Sequence, residues 1–116
     1  LGLGQVEEVV AAALPLGTGR LVELARALCT GAQILMLDEP SSGLDREETA
    51  AFETIVRRVH EERGTSILLV EHDMELVTSL ADHVYVLDFG QVIADGTPRE
   101  IHKSPIVQSV YLGTNK

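Results

Sequence analysis

The chain has 116 residues, 45% of them hydrophobic, enough for one small globular domain or for part of a larger one. Its formal net charge of −9, from 18 acids against 9 Lys and Arg, argues against a broad nucleic-acid surface and against an anionic membrane surface. No apolar run approaches the length of a membrane span, nothing resembles a signal peptide, and the single cysteine, Cys29, cannot form an internal disulfide, which is compatible with the cytoplasm.

Val6 to Ala13 reads as a short helix, broken by Pro15 and by the glycines at 17 and 19. Leu14-Pro15-Leu16-Gly17-Thr18 is then expected to be a loop. A second helix is expected from Gly19 or Arg20, with Thr18 as candidate N-cap and Leu21, Leu24, Ala25 and Leu28 on one face. Cys29 follows that apolar run and is expected to be buried filler, and Gly31 marks the exit.

A strand is expected from about Gln33 to Leu37. The uninterrupted run Ile34-Leu35-Met36-Leu37 suits a strand covered on both faces, as in a parallel sheet. Asp38 and Glu39 fall at its carboxyl end, where open α/β sheets put their ligands, and Pro40 ends it. Two adjacent acids at a buried strand tip are costly unless something cationic or polar meets them, and Mg²⁺ is the obvious candidate.

Asp45 opens the longest helix, with Glu48 completing a capping pair. Phe52, Ile55, Val56 and Val59 form its apolar stripe, Glu53 and Arg57 pair across one turn, and Gly64 ends it. Ser66 to Val70 is a second buried strand, so strand, helix, strand implies a parallel crossover. A short helix runs from Asp73 to about Leu80. His83 to Asp88 and Gln91 to Asp95 are strands of a hairpin turning at Phe89-Gly90. Thr97-Pro98-Arg99-Glu100 starts a helix with Pro98 first and Glu100 at the capping-box site, and Ser104-Pro105 starts another that ends near Leu112-Gly113.

Four stretches carry chemistry in a specific order: Val22 to Leu28 after the 14–18 loop, Ile34 to Glu39, Ser42-Gly43-Leu44-Asp45, and Leu69-Val70-Glu71-His72-Asp73. Together they resemble the second half of an ATP-binding cassette (ABC) ATPase, with its signature loop and helix, Walker B strand, D-loop and H-loop strand. The resemblance covers nearly the whole chain. It implies an α/β fold, a partial P-loop NTPase core with a mostly parallel sheet, flanking helices and a carboxyl-terminal hairpin. Residues 1–30 would end a helical subdomain and supply the signature helix, and 31–116 would form part of the catalytic core. No G-x-x-x-x-G-K-[ST] occurs in the sequence, so the Walker A loop and its strand have no counterpart here.

By the same resemblance Asp38 would hold Mg²⁺ and Glu39 would act as the catalytic base on the attacking water, in a phosphoryl transfer that needs charge neutralisation more than covalent chemistry. His72 matches the H-loop histidine that meets the γ-phosphate. Leu14, Pro15, Leu16, Gly17 and Thr18 occupy the signature loop, which in the family binds ATP held by the opposite subunit. The usual L-S-G-G-Q has become L-P-L-G-T: the serine is replaced by Pro15, the glutamine by Thr18, and Gly17 is kept. Thr18 is a candidate for part of the lost serine's role, or simply a helix cap. Ser42, Gly43, Leu44 and Asp45 match the D-loop, with Asp45 also readable as a cap alone. His60, His83 and His102 share no such motif and are read as ordinary surface or helix residues rather than a metal site.

The EHDM at Glu71 to Met74 and the tail from Gly96 to Ile101, ending in Val110-Tyr111-Leu112-Gly113, resemble ATP-binding subunits of branched-chain amino acid importers. That implies ATP and Mg²⁺ as cofactors. It also implies a second nucleotide-binding subunit, membrane permease subunits and, indirectly, a substrate-binding protein as partners. The subunit would be cytoplasmic, peripheral to the inner face of the membrane, with no nucleic-acid partner. Two alternatives stand beside this. One is a non-transport ABC ATPase of the DNA-repair or chromosome type. The other is an inactive interaction fragment that lacks Walker A. Strand edges left without the Walker A strand would invite self-association.

Overall fold

The computed structural model describes residues 16–112. The helix expected over Val6 to Ala13 and the loop residues Leu14 and Pro15 lie outside the described residues. The chain forms two compact units, divided between His72 and Asp73.

The first unit contains helix α1 (Leu16–Leu28), strand β1 (Ile34–Asp38), helix α2 (Arg46–Arg63) and strand β2 (Ser66–Val70). β1 and β2 pair in parallel, with Ile34 opposite Ser66 and Asp38 opposite Val70. The crossover between them is α2, as the order of elements required. Its amino end is closed by a capping box: Glu48 N–H donates to Asp45 Oδ1 at 2.7 Å and Asp45 N–H to Glu48 Oε1 at 3.1 Å. Its carboxyl end is closed by Gly64 at φ 68, in the left-handed conformation that glycine adopts without penalty. Phe52, Val56 and Val59 are buried on one face of α2, together with Leu24 of α1 and Leu35 of β1. Arg57 and Glu53 meet at 2.9 Å.

Three expectations are corrected here. α1 already includes Leu16, the first described residue, so Leu16, Gly17 and Thr18 are helical rather than looped, and Thr18 lies within the helix rather than at its cap. Gly17 and Gly19 each disfavour a helix by about 1 kcal/mol. Tertiary packing offsets this, because Leu16 and Gly17 lie against the start of α2 and the loop before it. Cys29 is exposed, since it stands beyond the last residue of α1, off the apolar face. The sheet is also not covered on both faces. Leu35 is buried, but Ile34, Met36, Leu68 and Val70, which share the other face, are 63%, 73%, 54% and 53% exposed.

The second unit contains α3 (Met74–Leu80), β3 (Val84–Asp88), β4 (Gln91–Gly96), α4 (Pro98–Lys103), α5 (Pro105–Val107) and a π-helical turn at Gln108–Leu112. β3 and β4 are antiparallel and form a two-stranded sheet of their own. Phe89 (φ 48) and Gly90 (φ 76) make the turn, both left-handed as a tight hairpin requires. Val86, Ile101 and Val107 form the core, with Met74, Val84, Ile93 and Ala94 packed on it. α3 is capped by Asp73, whose Oδ1 accepts from Leu76 N–H. α4 carries the capping box read from the sequence, with Pro98 in its first turn.

In that box Thr97 N–H donates to Glu100 Oε1 at 2.8 Å. This bond, then the Thr97 side chain and the nearby His83, hold the Glu100 carboxyl below its usual range. A carboxyl held low stabilises the folded form at neutral pH, and that contribution disappears as the pH falls through its lowered value. Carboxyl NMR titration should therefore give Glu100 a midpoint below that of an ordinary glutamate. Thr97→Ala, which keeps the N–H but removes the hydroxyl, should raise that midpoint part of the way.

Candidate functional site

The site is built where β1 and β2 end side by side. Asp38 is the last residue of β1, exposed, and its carboxylate has no hydrogen-bond or ionic partner among the described residues. Glu39 follows with φ 45, a left-handed conformation that costs a non-glycine residue roughly 1–2 kcal/mol. This turn replaces the alternation of a strand, in which neighbouring side chains point to opposite faces. It carries the Glu39 carboxylate to the tip of β2, where Oε1 accepts from His72 Nδ1 at 2.8 Å. The backbone N–H of Glu39 meanwhile donates to Val70 O at 2.7 Å.

The Glu39 and His72 side chains are 52% and 69% exposed. A contact so open contributes little to stability. It stands at a rim that a ligand can reach. Because a carboxylate only accepts, Nδ1 carries the proton of this bond and Nε2 is left free for another partner.

The loop after Glu39 is tightly wound. Ser42 N–H donates to Glu39 O at 3.1 Å, Leu44 N–H to Ser41 O at 3.0 Å, and Gly43 has φ 81. Ser41 N–H donates to Glu71 Oε2 at 2.9 Å. Arg20 Nη2 of α1 donates to Ser42 O at 3.2 Å. Asp45 spends Oδ1 on the α2 cap. The expected D-loop residues Ser42, Gly43, Leu44 and Asp45 thus form one turn between the strand tip and α2.

Of the expected signature residues, Leu14 and Pro15 lie outside the described residues. Leu16 and Gly17 meet the D-loop region instead of the Glu39–His72 pair. A Cβ added to Gly43 would stand 2.7 Å from Leu16 Cδ2, and one added to Gly17 would stand 2.7 Å from Glu48 Oε2. No hydrogen bond joins Gly17 or Thr18 to Glu39 or His72 among the described residues. Sequence reasoning missed Arg20 and Glu71 as contacts of this loop. Their only signals were a cation two residues past Thr18 and an acid beside His72, neither distinctive alone.

The fold around this site has known counterparts. MJ1267, an ATP-binding cassette of an ABC transporter, superposes with a TM-score of 0.86 at 29% identity, covering 94% of this chain and 44% of that one. The chain has an ABC ATPase fold. Residues 91–116 match the family described as branched-chain amino acid ATP-binding cassette transporter. The ATP-binding protein BraF of high-affinity branched-chain amino acid transport in Pseudomonas aeruginosa is 43% identical over 89% of this chain and 40% of its own. Its counterpart LivG of Escherichia coli is 40% identical over 97% of this chain and 44% of its own. The chain described here therefore spans under half the length of these relatives. Among its described residues no helix is long and apolar enough to cross a membrane.

Gly43→Ala should lower stability by about 1–2 kcal/mol from the left-handed backbone alone, plus a cost for the contact with Leu16. Chemical denaturation of Gly43→Ala with and without Leu16→Ala separates the two. The second substitution should recover only the steric part.

Proposed function

We propose that this chain supplies the Walker B, D-loop and H-loop half of the ATP-hydrolysing subunit of an importer for branched-chain or other hydrophobic amino acids. The observation that carries the reading is the Glu39–His72 contact at 2.8 Å beside the unpartnered Asp38 carboxylate. Glu39 takes a proton from the attacking water as general base. His72, fixed through Nδ1, offers Nε2 to the γ-phosphate. A ring protonated on both nitrogens bridges Glu39 to a phosphate oxygen.

Asp38 suits Mg²⁺, being a hard oxygen donor that no protein group already occupies. No cluster of three His, Cys, Asp or Glu stands among the described residues. A single carboxylate fits an ion held mainly by water and by nucleotide phosphates. Bound Mg²⁺ supplies neutralisation of phosphate charge. Leu14 to Thr18 meet the ATP of a second nucleotide-binding subunit, and Ser42 to Asp45 face that subunit. Thr18 contributes a hydroxyl where the family has a serine nearby. The complete protein sits at the cytoplasmic face of the membrane on its permease subunits, served indirectly by a substrate-binding protein.

In the domain completed by a Walker A half, Glu39→Gln should lower ATP turnover by about 10²-fold or more while leaving nucleotide binding intact. Unchanged turnover removes Glu39 from the mechanism. Thr18→Ala should lower turnover in the same assay, and a wild-type rate removes Thr18.

The 116-residue chain by itself lacks the Walker A sequence, and calorimetry with Mg-ATP is expected to find no micromolar binding. It also carries an apolar sheet face at Ile34, Met36, Leu68 and Val70 and strand edges open to pairing. Light scattering should therefore detect self-association, reduced in a Met36→Lys, Leu68→Lys variant. A wild-type monomer at all concentrations counts against it.

A further inference from the structure

Three consecutive residues at the exit of β2 grip three groups at the exit of β1. Val70 O accepts the Glu39 N–H at 2.7 Å, Glu71 Oε2 accepts the Ser41 N–H at 2.9 Å, and His72 Nδ1 meets the Glu39 carboxylate at 2.8 Å. The outer two belong to strand pairing and to the chemistry proposed above. The middle one has no assigned role.

Glu71 is half-buried, and its second oxygen, Oε1, is buried without a hydrogen-bond partner among the described residues. Placing a carboxylate there is unfavourable unless the one bond it makes matters. That bond is charge-assisted and closes on a backbone N–H, which fixes a loop more firmly than a bond between two long side chains. It lands two residues past Glu39, whose left-handed backbone persists only if its surroundings over-determine it. The Val70 bond holds Glu39 from the strand side, and the Glu71 bond holds the chain just beyond it.

We infer that Glu71 is a positioning residue: by anchoring Ser41 it holds the turn at Glu39 and keeps that carboxylate on His72. A shorter acid in its place cannot reach the Ser41 N–H, whereas a glutamine still presents an acceptor oxygen at the same distance. The role thus depends on reach and on an acceptor, not on bulk. The catalytic meaning rests on the reading of Glu39 as general base; the positioning itself does not.

The test is amide hydrogen exchange at Ser41 and the Nδ1 chemical shift of His72, both by NMR on the 116-residue chain. Glu71→Ala should speed Ser41 exchange about tenfold or more and shift the His72 Nδ1 signal away from its wild-type value. Glu71→Gln should retain most of the protection. Should the alanine variant fail to fold, Glu71→Asp, which keeps the charge but loses one methylene of reach, should behave as predicted for alanine. Wild-type exchange and shift in a folded Glu71→Ala or Glu71→Asp variant overturn the inference. In the completed domain, Glu71→Ala should lower kcat by about tenfold with KM for ATP unchanged, and Glu71→Gln should restore most of the rate. A completed wild-type domain without ATPase activity defeats the functional reading, while the exchange measurement still decides the role of Glu71.

Discussion

The constraint on which this site depends is the backbone of Glu39. A strand would send Asp38 and Glu39 to opposite faces. The left-handed turn at Glu39 breaks that alternation and delivers its carboxylate to the neighbouring strand tip, 2.8 Å from His72. The parallel register makes this possible, because pairing Asp38 with Val70 brings both strand exits to the same level. Parallel strands joined by a helix end at the same edge, so residues more than thirty positions apart in the chain can meet there.

The strain at that turn is balanced by hydrogen bonds on both sides of it. Before it stands the Glu39 N–H bond to Val70, and after it the Ser41 N–H bond to Glu71. The loop then passes beneath α1, where Arg20 takes the Ser42 carbonyl and Leu16 lies against Gly43. α1, the loop and the capping box of α2 are therefore one connected structure. Glu48 belongs to all of it, closing the α2 cap through Oε1 while Oε2 lies against Gly17. A side chain at 17 would displace the Glu48 carboxylate from that position, a contact of the retained signature glycine that involves no nucleotide.

The β1–β2 sheet shows what such a site looks like with one layer of covering. Its inner face is closed at Leu35, but the opposite face presents Ile34, Met36, Leu68 and Val70 to solvent. Two strands alone make a marginal sheet. Its backbone pairing is complete between β1 and β2, yet its burial is not. The chain covers only 40% and 44% of BraF and LivG, relatives in which more polypeptide is present.

The amino-acid order by itself determined the elements whose signals are local. Asp45 with Glu48, Gly64, Thr97 with Pro98 and Glu100, and the Phe89-Gly90 turn all act within a few residues, and all stand where the sequence placed them. It also singled out Asp38, Glu39 and His72, through the order of motifs that resembles an ABC ATPase rather than through any of the three residues alone. Tertiary structure decided the rest. Gly17 and Gly19 are helical against their own propensity because α1 is held from outside, and Cys29 is exposed because its helix stops one residue short of it. The contacts of Glu71 and Arg20 to the loop join residues 30 and 22 positions apart, a distance over which periodicity and capping carry no information.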